Sequence, residues 1–329
     1  MTDRRNSMIS RRGMLAGAAG FTIVAPQAVL AQSGQTVRII VPYIPGGATD
    51  VTARIMAEKL TPILGQQVIV ENRAGGNTIV GMDIVAKSKP DGTTLLLGTT
   101  TLATNAALGF KQPYDPLKDF APISTIVDIP LFGAMNVDLP VKTYAQFAEW
   151  ANKQPQRVRY ATSGVGNMPH LWAEQFRNHA KLNIENVAYK GASDALRDVM
   201  GGHVPCIFDV ILPSATHVRA GKMTGLLIAA DQRSPLAPDV PTVGEVGHKG
   251  LESAVYFGLV APSGTPRPTI ERLNQAVARI IKEPETAKRF VDLGYIITGS
   301  TPEAYQALLV KETERWTRVV KENGIKVET

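Results

Sequence analysis

Val37-Arg38-Ile39-Ile40-Val41-Pro42-Tyr43-Ile44-Pro45-Gly46-Gly47-Ala48-Thr49-Asp50 is the stretch on which the reading of the fold turns. Its first five residues form a short apolar run rich in β-branched side chains, the composition of a buried strand. Directly after it, apolar residues (Val51, Ile55, Met56, Leu60, Leu64) recur at helical spacing, and Gly65 ends the run. Between strand and helix lies a loop with two adjacent glycines, Gly46 and Gly47. Glycines there let the backbone approach a bound group closely. The free N–H groups and the dipole of the following helix favour a negative group. In open α/β sheets, ligands sit beyond the carboxyl ends of the strands, where this loop falls. A plain tight turn, with Thr49 as the helix cap and Asp50 as a first-turn acid, is the competing reading.

Outward from this stretch, strands and helices alternate. Residues 67–70 read as a strand, 79–87 as a helix stopped by Pro90-Asp91-Gly92, and 94–98 as a third strand. The pattern then restarts, with strands at 131–136, 157–161, 187–189, 204–209 and 225–230. Helical patterns at 143–154, 168–180, 193–200 and 214–220 separate them. A Pro- and Gly-rich connection at 234–249 leads to a strand at 255–260 and two amphipathic helices at 268–282 and 302–323. This alternation predicts an α/β protein with mostly parallel sheets flanked by helices. A length of 329 residues fits two domains. The expected lobes are residues 32–128 with 231–329, and residues 129–230, joined by two crossings that act as a hinge. The chain has no low-complexity tract and no solenoid-period repeat.

Hydrophobic residues make up 44% of the chain and charged residues 19%, enough apolar surface for a full-sized core. The net charge is +6, and half of it comes from Arg4, Arg5, Arg11 and Arg12 against Asp3. The remainder is too weakly basic for a nucleic-acid footprint. The arginines precede a small, apolar run to Leu30, and Val29-Leu30-Ala31 supplies a cleavage site. Residues 1–31 therefore read as an export signal cleaved near Ala31, and Ser10-Arg11-Arg12 resembles a twin-arginine signal. Gly13, Gly17, Gly20 and Pro26 argue against an uncleaved spanning helix. The expected location is the periplasm. Cys206, the single cysteine, reads as a buried apolar residue.

Two further junctions join a strand to a helix through a polar loop. Thr162-Ser163-Gly164-Val165-Gly166-Asn167-Met168-Pro169 has Pro at the start of its helix but lacks the third glycine of a dinucleotide fingerprint. Tyr189-Lys190-Gly191-Ala192-Ser193-Asp194 offers Ser193 as an N-cap, with Lys190 either a charge for a carboxylate or a solvated lysine. Thr99, Thr100 and Thr101 add hydroxyls at the end of the third strand. Junctions in two lobes that close on each other suit a small anionic solute. Catalytic signals are thin. The five histidines show no metal-ligand spacing, no Walker loop occurs, and the Glu312–Glu314 pair sits beside Lys311 and Arg315 on an amphipathic helix. No cofactor, metal or catalytic residue is expected. An exported enzyme on the same scaffold, or a sensory receptor, remains the alternative.

Together these segments resemble the substrate-binding receptors of tripartite tricarboxylate transporters, also called the Bordetella uptake gene family. The resemblance runs from Arg38–Asp50 through Val70-Glu71-Asn72-Arg73-Ala74-Gly75-Gly76 and Pro90-Asp91-Gly92 to Tyr160-Ala161-Thr162-Ser163-Gly164. It continues in Tyr189-Lys190-Gly191 and in Phe257-Gly258-Leu259-Val260-Ala261-Pro262. It implies a monomeric, two-lobed Venus-flytrap receptor that passes a small carboxylate to membrane permease subunits. It implies first-lobe contacts from Tyr43, Gly46, Gly47 and Asp50, with Thr99 and Thr100 nearby. From the second lobe it implies Ser163, Gly164, Asn167, Ala192 and Asp209. Asp50, an acid among anion-binding groups, is expected to meet a hydroxyl, an ammonium or a water.

Overall fold

The computed structural model describes residues 35–326, so the expected export signal and its cleavage site lie outside the described residues. The chain opens with β1 (Val37–Val41), α1 (Ala48–Leu64), β2 (Val68–Asn72), α2 (Ile79–Ala86), β3 (Thr94–Thr99) and α3 (Thr101–Ala107). Strands β1 and β2 pair in parallel, and so do β1 and β3, giving the order β2-β1-β3. Both faces of β1 are buried. Ile39 and Val41 face one core cluster with Ile55 and Met56 of α1, while Ile40 faces another with Met82 of α2. A strand covered by helices on both sides needs a near-continuous apolar run, which 39–41 supplies, while Arg38 at the strand start is half-buried and pairs with Glu71. Gly65 ends α1 in the left-handed conformation (φ 65°) and donates its N–H to the Thr61 carbonyl at 3.1 Å, a helix stop that glycine adopts without strain.

β4 (Phe120–Asn136) is a 17-residue strand and the axis of the molecule. The sequence reading found only its second half. Pro122 and Pro130 interrupt its first half, and a strand proline normally marks an edge or a bulge. The fold accommodates it with register shifts at Pro122/Ser124 and Thr125/Val127 against a later strand. Beyond β4 come α4 (Tyr144–Lys153), β5 (Val158–Thr162), α5 (Met168–Ala180), β6 (Ile184–Ala188) and α6 (Ala192–Met200). β7 (Cys206–Val210), α7 (Ile211–Arg219) and β8 (Met223–Ile228) complete this unit. Here too a central strand, β5, pairs in parallel with the next two, giving β6-β5-β7. The chain ends with β9 (Ala254–Pro262), α8 (Arg267–Ile280), α9 (Pro284–Asp292), β10 (Ile296–Ile297) and α10 (Pro302–Asn323).

β4 belongs to both sheets. From Phe120 to Pro130 it runs antiparallel to β9, which continues antiparallel to β3. From Leu131 onward it pairs antiparallel with β7 and β8. The change of partner falls between Pro130 and Leu131. Each sheet thus has a parallel block of three strands and an antiparallel margin on the shared strand. The aromatic residues of α4 and α5 fill the second core: Trp172, Phe147 and Phe176 are fully buried, and Trp172 stacks on Phe176 with centroids 5.1 Å apart. Cys206 is fully buried, as its apolar neighbours predict, and burial pushes its thiol pKa up.

Candidate functional site

Topology places the junctions. In the order β2-β1-β3 the chain passes from β1 out to β2 and back across to β3, with α1 and α2 on opposite faces of the sheet, the arrangement in which ligands sit beyond the carboxyl ends of β1 and β3. The loop after β1 and the threonines after β3 flank it. The Tyr43 hydroxyl lies 3.1 Å from Thr99 Oγ1, which lies 2.8 Å from Thr101 Oγ1. Thr99 and Thr100 are both buried. Gly46 has φ +90°, the left-handed region that favours glycine, and a Cβ on Gly46 or Gly47 would meet nothing within 4 Å. Gly47 stands at the N-cap of α1 with extended backbone. The first hydrogen bond of α1 runs from Val51 N to Gly47 O at 3.0 Å, so the N–H groups of Ala48, Thr49 and Asp50 precede the helical ladder.

Asp50 is 3% exposed and fully engaged. Its Oδ2 accepts from Gly46 N at 3.0 Å and Arg54 Nε at 2.9 Å. Its Oδ1 accepts from Arg54 Nη2 at 3.1 Å and Asn72 Nδ2 at 3.0 Å. Burial works to raise its pKa, but the bonds from Arg54, Gly46 and Asn72 outweigh it and hold the carboxyl below its usual value. An ionised carboxylate has about four acceptor positions, and here protein donors take them all. The expectation that Asp50 meets a ligand hydroxyl, ammonium or water therefore gives way to a buttressing role. It ties the glycine loop to the helix and, through Asn72, to β2.

The second sheet repeats the arrangement. The order β6-β5-β7 sets the loop after β5 beside the end of β7, which brings Ser163 and Asp209 together. Asn167 caps α5, accepting from His170 N at 3.0 Å, and donates to Ser163 Oγ at 3.0 Å. Gly166 N donates to His170 Nδ1 at 3.0 Å, and burial holds the His170 pKa down. Gly164 is half-buried, and a Cβ there would come within 3.3 Å of Asn167 Nδ2. Asp209 is 3% exposed. Its Oδ1 accepts from Val210 N at 2.7 Å, and its Oδ2 has no hydrogen-bond partner. Burial raises its pKa to about 6, against the opposing pull of the Val210 N–H and the Ser163 hydroxyl. At the third junction the cap moves. Gly191, not Ser193, is the N-cap of α6, Ala192 is its first, half-buried residue, and Lys190 is exposed.

A cavity of about 450 Å³ opens beside the first junction. Tyr43, Gly46, Ala48 and Thr49 line it from the β1–α1 loop. Val210, Leu212 and Pro213 line it from the start of α7, and Ile129, Val255 and Phe257 from the strands near the partner change. Val51, Leu293 and Tyr295 complete it. No Asp, Glu, Lys, Arg or His is among its lining residues. Of the expected site residues only Tyr43 and Gly46 line it; Gly47, Asp50, Thr99, Thr100, Ser163, Gly164, Asn167, Ala192 and Asp209 do not. Sequence reasoning missed the α7 residues. The available signal was the helix that opens directly after Asp209, a strand-to-helix junction like the others but without glycine.

Comparison with known proteins places this architecture. The sequence profile described as "Tripartite tricarboxylate transporter family receptor" matches residues 52–325. Protein BugT of Bordetella pertussis is 33% identical over 307 residues, 93% of this chain and 94% of the relative. An R. palustris protein solved with adipate shares 32% identity at a TM-score of 0.77, covering 88% of this chain and 98% of the other. MatC from Rhodopseudomonas palustris with bound malate shares 31% identity at a TM-score of 0.73, covering 87% and 98%.

Proposed function

The chain belongs to the tripartite tricarboxylate transporter receptor family, and from that premise we propose that it captures a small carboxylate at the Gly46–Gly47 junction, between two lobes, for delivery to the membrane permease of such a transporter. The observation that carries this reading is a single cavity lined both by the uncapped start of α1 and by the start of α7. The free N–H groups of α1 supply donors for one carboxylate, and the helix dipole favours its charge.

In this reading the first lobe is built on the β2-β1-β3 block and the second on β6-β5-β7. The chain leaves the first where β4 changes partner, at Pro130 and Leu131. We place the return near Ala254, because Val243 and Leu251 share the second core with α4 and α5, while Leu236, Ala237 and Val240 belong to the first. Trp172 Nε1 donates to Leu251 O at 2.8 Å, and the Tyr144 hydroxyl lies 2.7 Å from His248 Nε2. Tyr43 and Gly46 face the ligand from the first lobe, with Gly47 next to them at the N-cap of α1; Ser163, outside the cavity in this structure, would reach it only on closure, and Asp50, Asn167 and Asp209 support the loops. The export signal at 1–31 delivers the chain to the periplasm, with cleavage near Ala31.

A thermal-shift screen of residues 32–329 against mono-, di- and tricarboxylates, acidic amino acids and aromatic acids tests the proposal. A ligand at about 100 times its Kd adds about 2.7 kcal/mol and raises the midpoint by several degrees. A shift confined to one chemical group is the expected result. A flat response to every carboxylate contradicts the proposal.

A further inference from the structure

A second cavity, of about 310 Å³, shares no lining residue with the one beside the β1–α1 loop. Asp128 of β4 pairs in register with Tyr256 of β9, and both line this second space. Their strand neighbours Ile129, Val255 and Phe257 line the first cavity instead. Side chains alternate between faces along a strand. The same two strands therefore turn an apolar face to one space and a polar face to the other. Leu308, Glu312 and Arg315 of α10 also line the second space.

We infer that this second cavity is a binding site for a small aliphatic primary amine, whose ammonium group meets Asp128, Tyr256 and Ser253. The charges that line it are unbalanced: Asp128, Asp231, Glu252 and Glu312 against Lys311 and Arg315. Asp231 and Lys311 are exposed. Arg315 is already committed. Its Nη2 donates to Gln175 Oε1 at 2.9 Å, its Nη1 lies 3.7 Å from Glu312 Oε1, and its guanidinium sits 4.5 Å over the Trp316 ring. Glu312 Oε2 accepts from Trp316 Nε1 at 2.7 Å, and Glu252 Oε2 accepts from Gly250 N at 2.9 Å. Asp128 is different. Burial, and after it the charge of Glu312, raises its pKa to about 6, and no cation pulls it back. Two buried hydroxyls on the same lining, Tyr256 (4% exposed) and Ser253 (8% exposed), have no hydrogen-bond partner. An unpartnered buried hydroxyl is costly, so it gains most from a ligand that bonds to it.

An ammonium brings one positive charge and three N–H donors, which suit one carboxylate and two hydroxyl oxygens. An anion would enter a space whose lining is already negative. A metal ion would need more ligating side chains, and among the described residues no three His, Cys, Asp or Glu are grouped to hold one. Ala254, Ile296 and Leu308 give a short carbon chain an apolar wall. The inference goes beyond the receptor reading and does not depend on it.

The test is calorimetric titration of residues 32–329 with butylammonium chloride at about pH 7.5, against tetramethylammonium chloride at equal ionic strength. Butylammonium should saturate one site and bind at least about tenfold tighter than tetramethylammonium, which has the charge but no N–H donor. Asp128→Asn should weaken butylammonium more than about tenfold, and Tyr256→Phe about fivefold to tenfold. Neither variant should melt below wild type, because one loses an unpaired buried charge and the other a hydroxyl without a partner. Lowering the pH to about 5 should weaken binding about tenfold as Asp128 takes up a proton. Nα-acetyl-lysine amide carries the same butylammonium group on a peptide unit and should bind no tighter. Tighter binding would assign the space to a lysine of a partner protein and overturn the inference. Equal affinity for butylammonium and tetramethylammonium, or wild-type butylammonium affinity in Asp128→Asn, overturns it as well.

Discussion

Asp50 and Asp209 are both buried carboxylates, and their environments push them in opposite directions. Asp50 accepts four hydrogen bonds, and removing it strands Gly46 N, Asn72 and the Arg54 guanidinium. Asp50→Ala should cost about 2 kcal/mol in urea unfolding at pH 7. Because its folded pKa is lowered, this stability is present above the ordinary carboxylate range and is lost as pH falls through the lowered value. Wild-type stability in the variant at pH 7 would show that the buttress does nothing. Asp209 has the reverse sign. Its folded pKa is about 6, raised mainly by burial, so ionising it opposes folding above that pH, and the penalty fades as pH drops toward 4. Asp209→Asn should be more stable than wild type at pH 8, by at most about 3 kcal/mol, with the difference gone near pH 4. Melting midpoints at the two pH values check this, and a variant less stable than wild type at pH 8 would contradict it. Asp128, also raised to about 6 by burial and by the nearby Glu312, adds a second contribution of the same sign that the substitution leaves in place.

At the scale of elements, the join between β3, β9 and α10 depends on two glycines facing each other across the sheet. Gly98 pairs with Gly258. A Cβ on Gly258 would sit 2.6 Å from the ring of Tyr305 and 2.7 Å from the Ser124 carbonyl, and one on Gly98 would sit 2.6 Å from Leu102. The bare strands form the seat for the fully buried Tyr305 of α10. Gly258→Ala should cost about 1–3 kcal/mol in urea unfolding, and an unchanged midpoint would mean the seat has slack. The sequence announced Gly258 only as part of a segment with family character, and its packing role depends on a helix 40 and more residues later. The same division runs through the fold. The strand–helix alternation of 37–98 and 157–209 was legible because each element carries its own period and its own stop signal. The first half of β4 was not, because prolines masked a strand whose pairing partners are distant in sequence. At the site, the glycine loop and its link to Thr99 follow from local pattern plus strand order. Leu212 and Pro213 reach the cavity only because β7 is adjacent to β4 and β5, a tertiary fact that spacing does not encode.

On the scale of the whole molecule, the two sheets share β4, and α10 is anchored in both cores. Tyr305 and Leu309 pack with the first sheet, whereas Trp316 and Val319 pack with the second. A strand and a helix common to both halves hold them at a fixed joint and leave the facing junctions free to approach. In the proposed reading, closure on a ligand would be a hinge motion about Pro130–Leu131 and Ala254. The central claim is that a carboxylate sits at the Gly46–Gly47 junction when the lobes close. It is tested most directly by titrating the best-binding carboxylate into wild type and into Gly47→Trp in a calorimeter. A side chain at Gly47 would start in open space, at an ordinary extended backbone angle (φ −80°), so the variant should melt with wild type. Full binding heat is expected in wild type and none in Gly47→Trp at the same melting midpoint. Equal dissociation constants in the two proteins would contradict it.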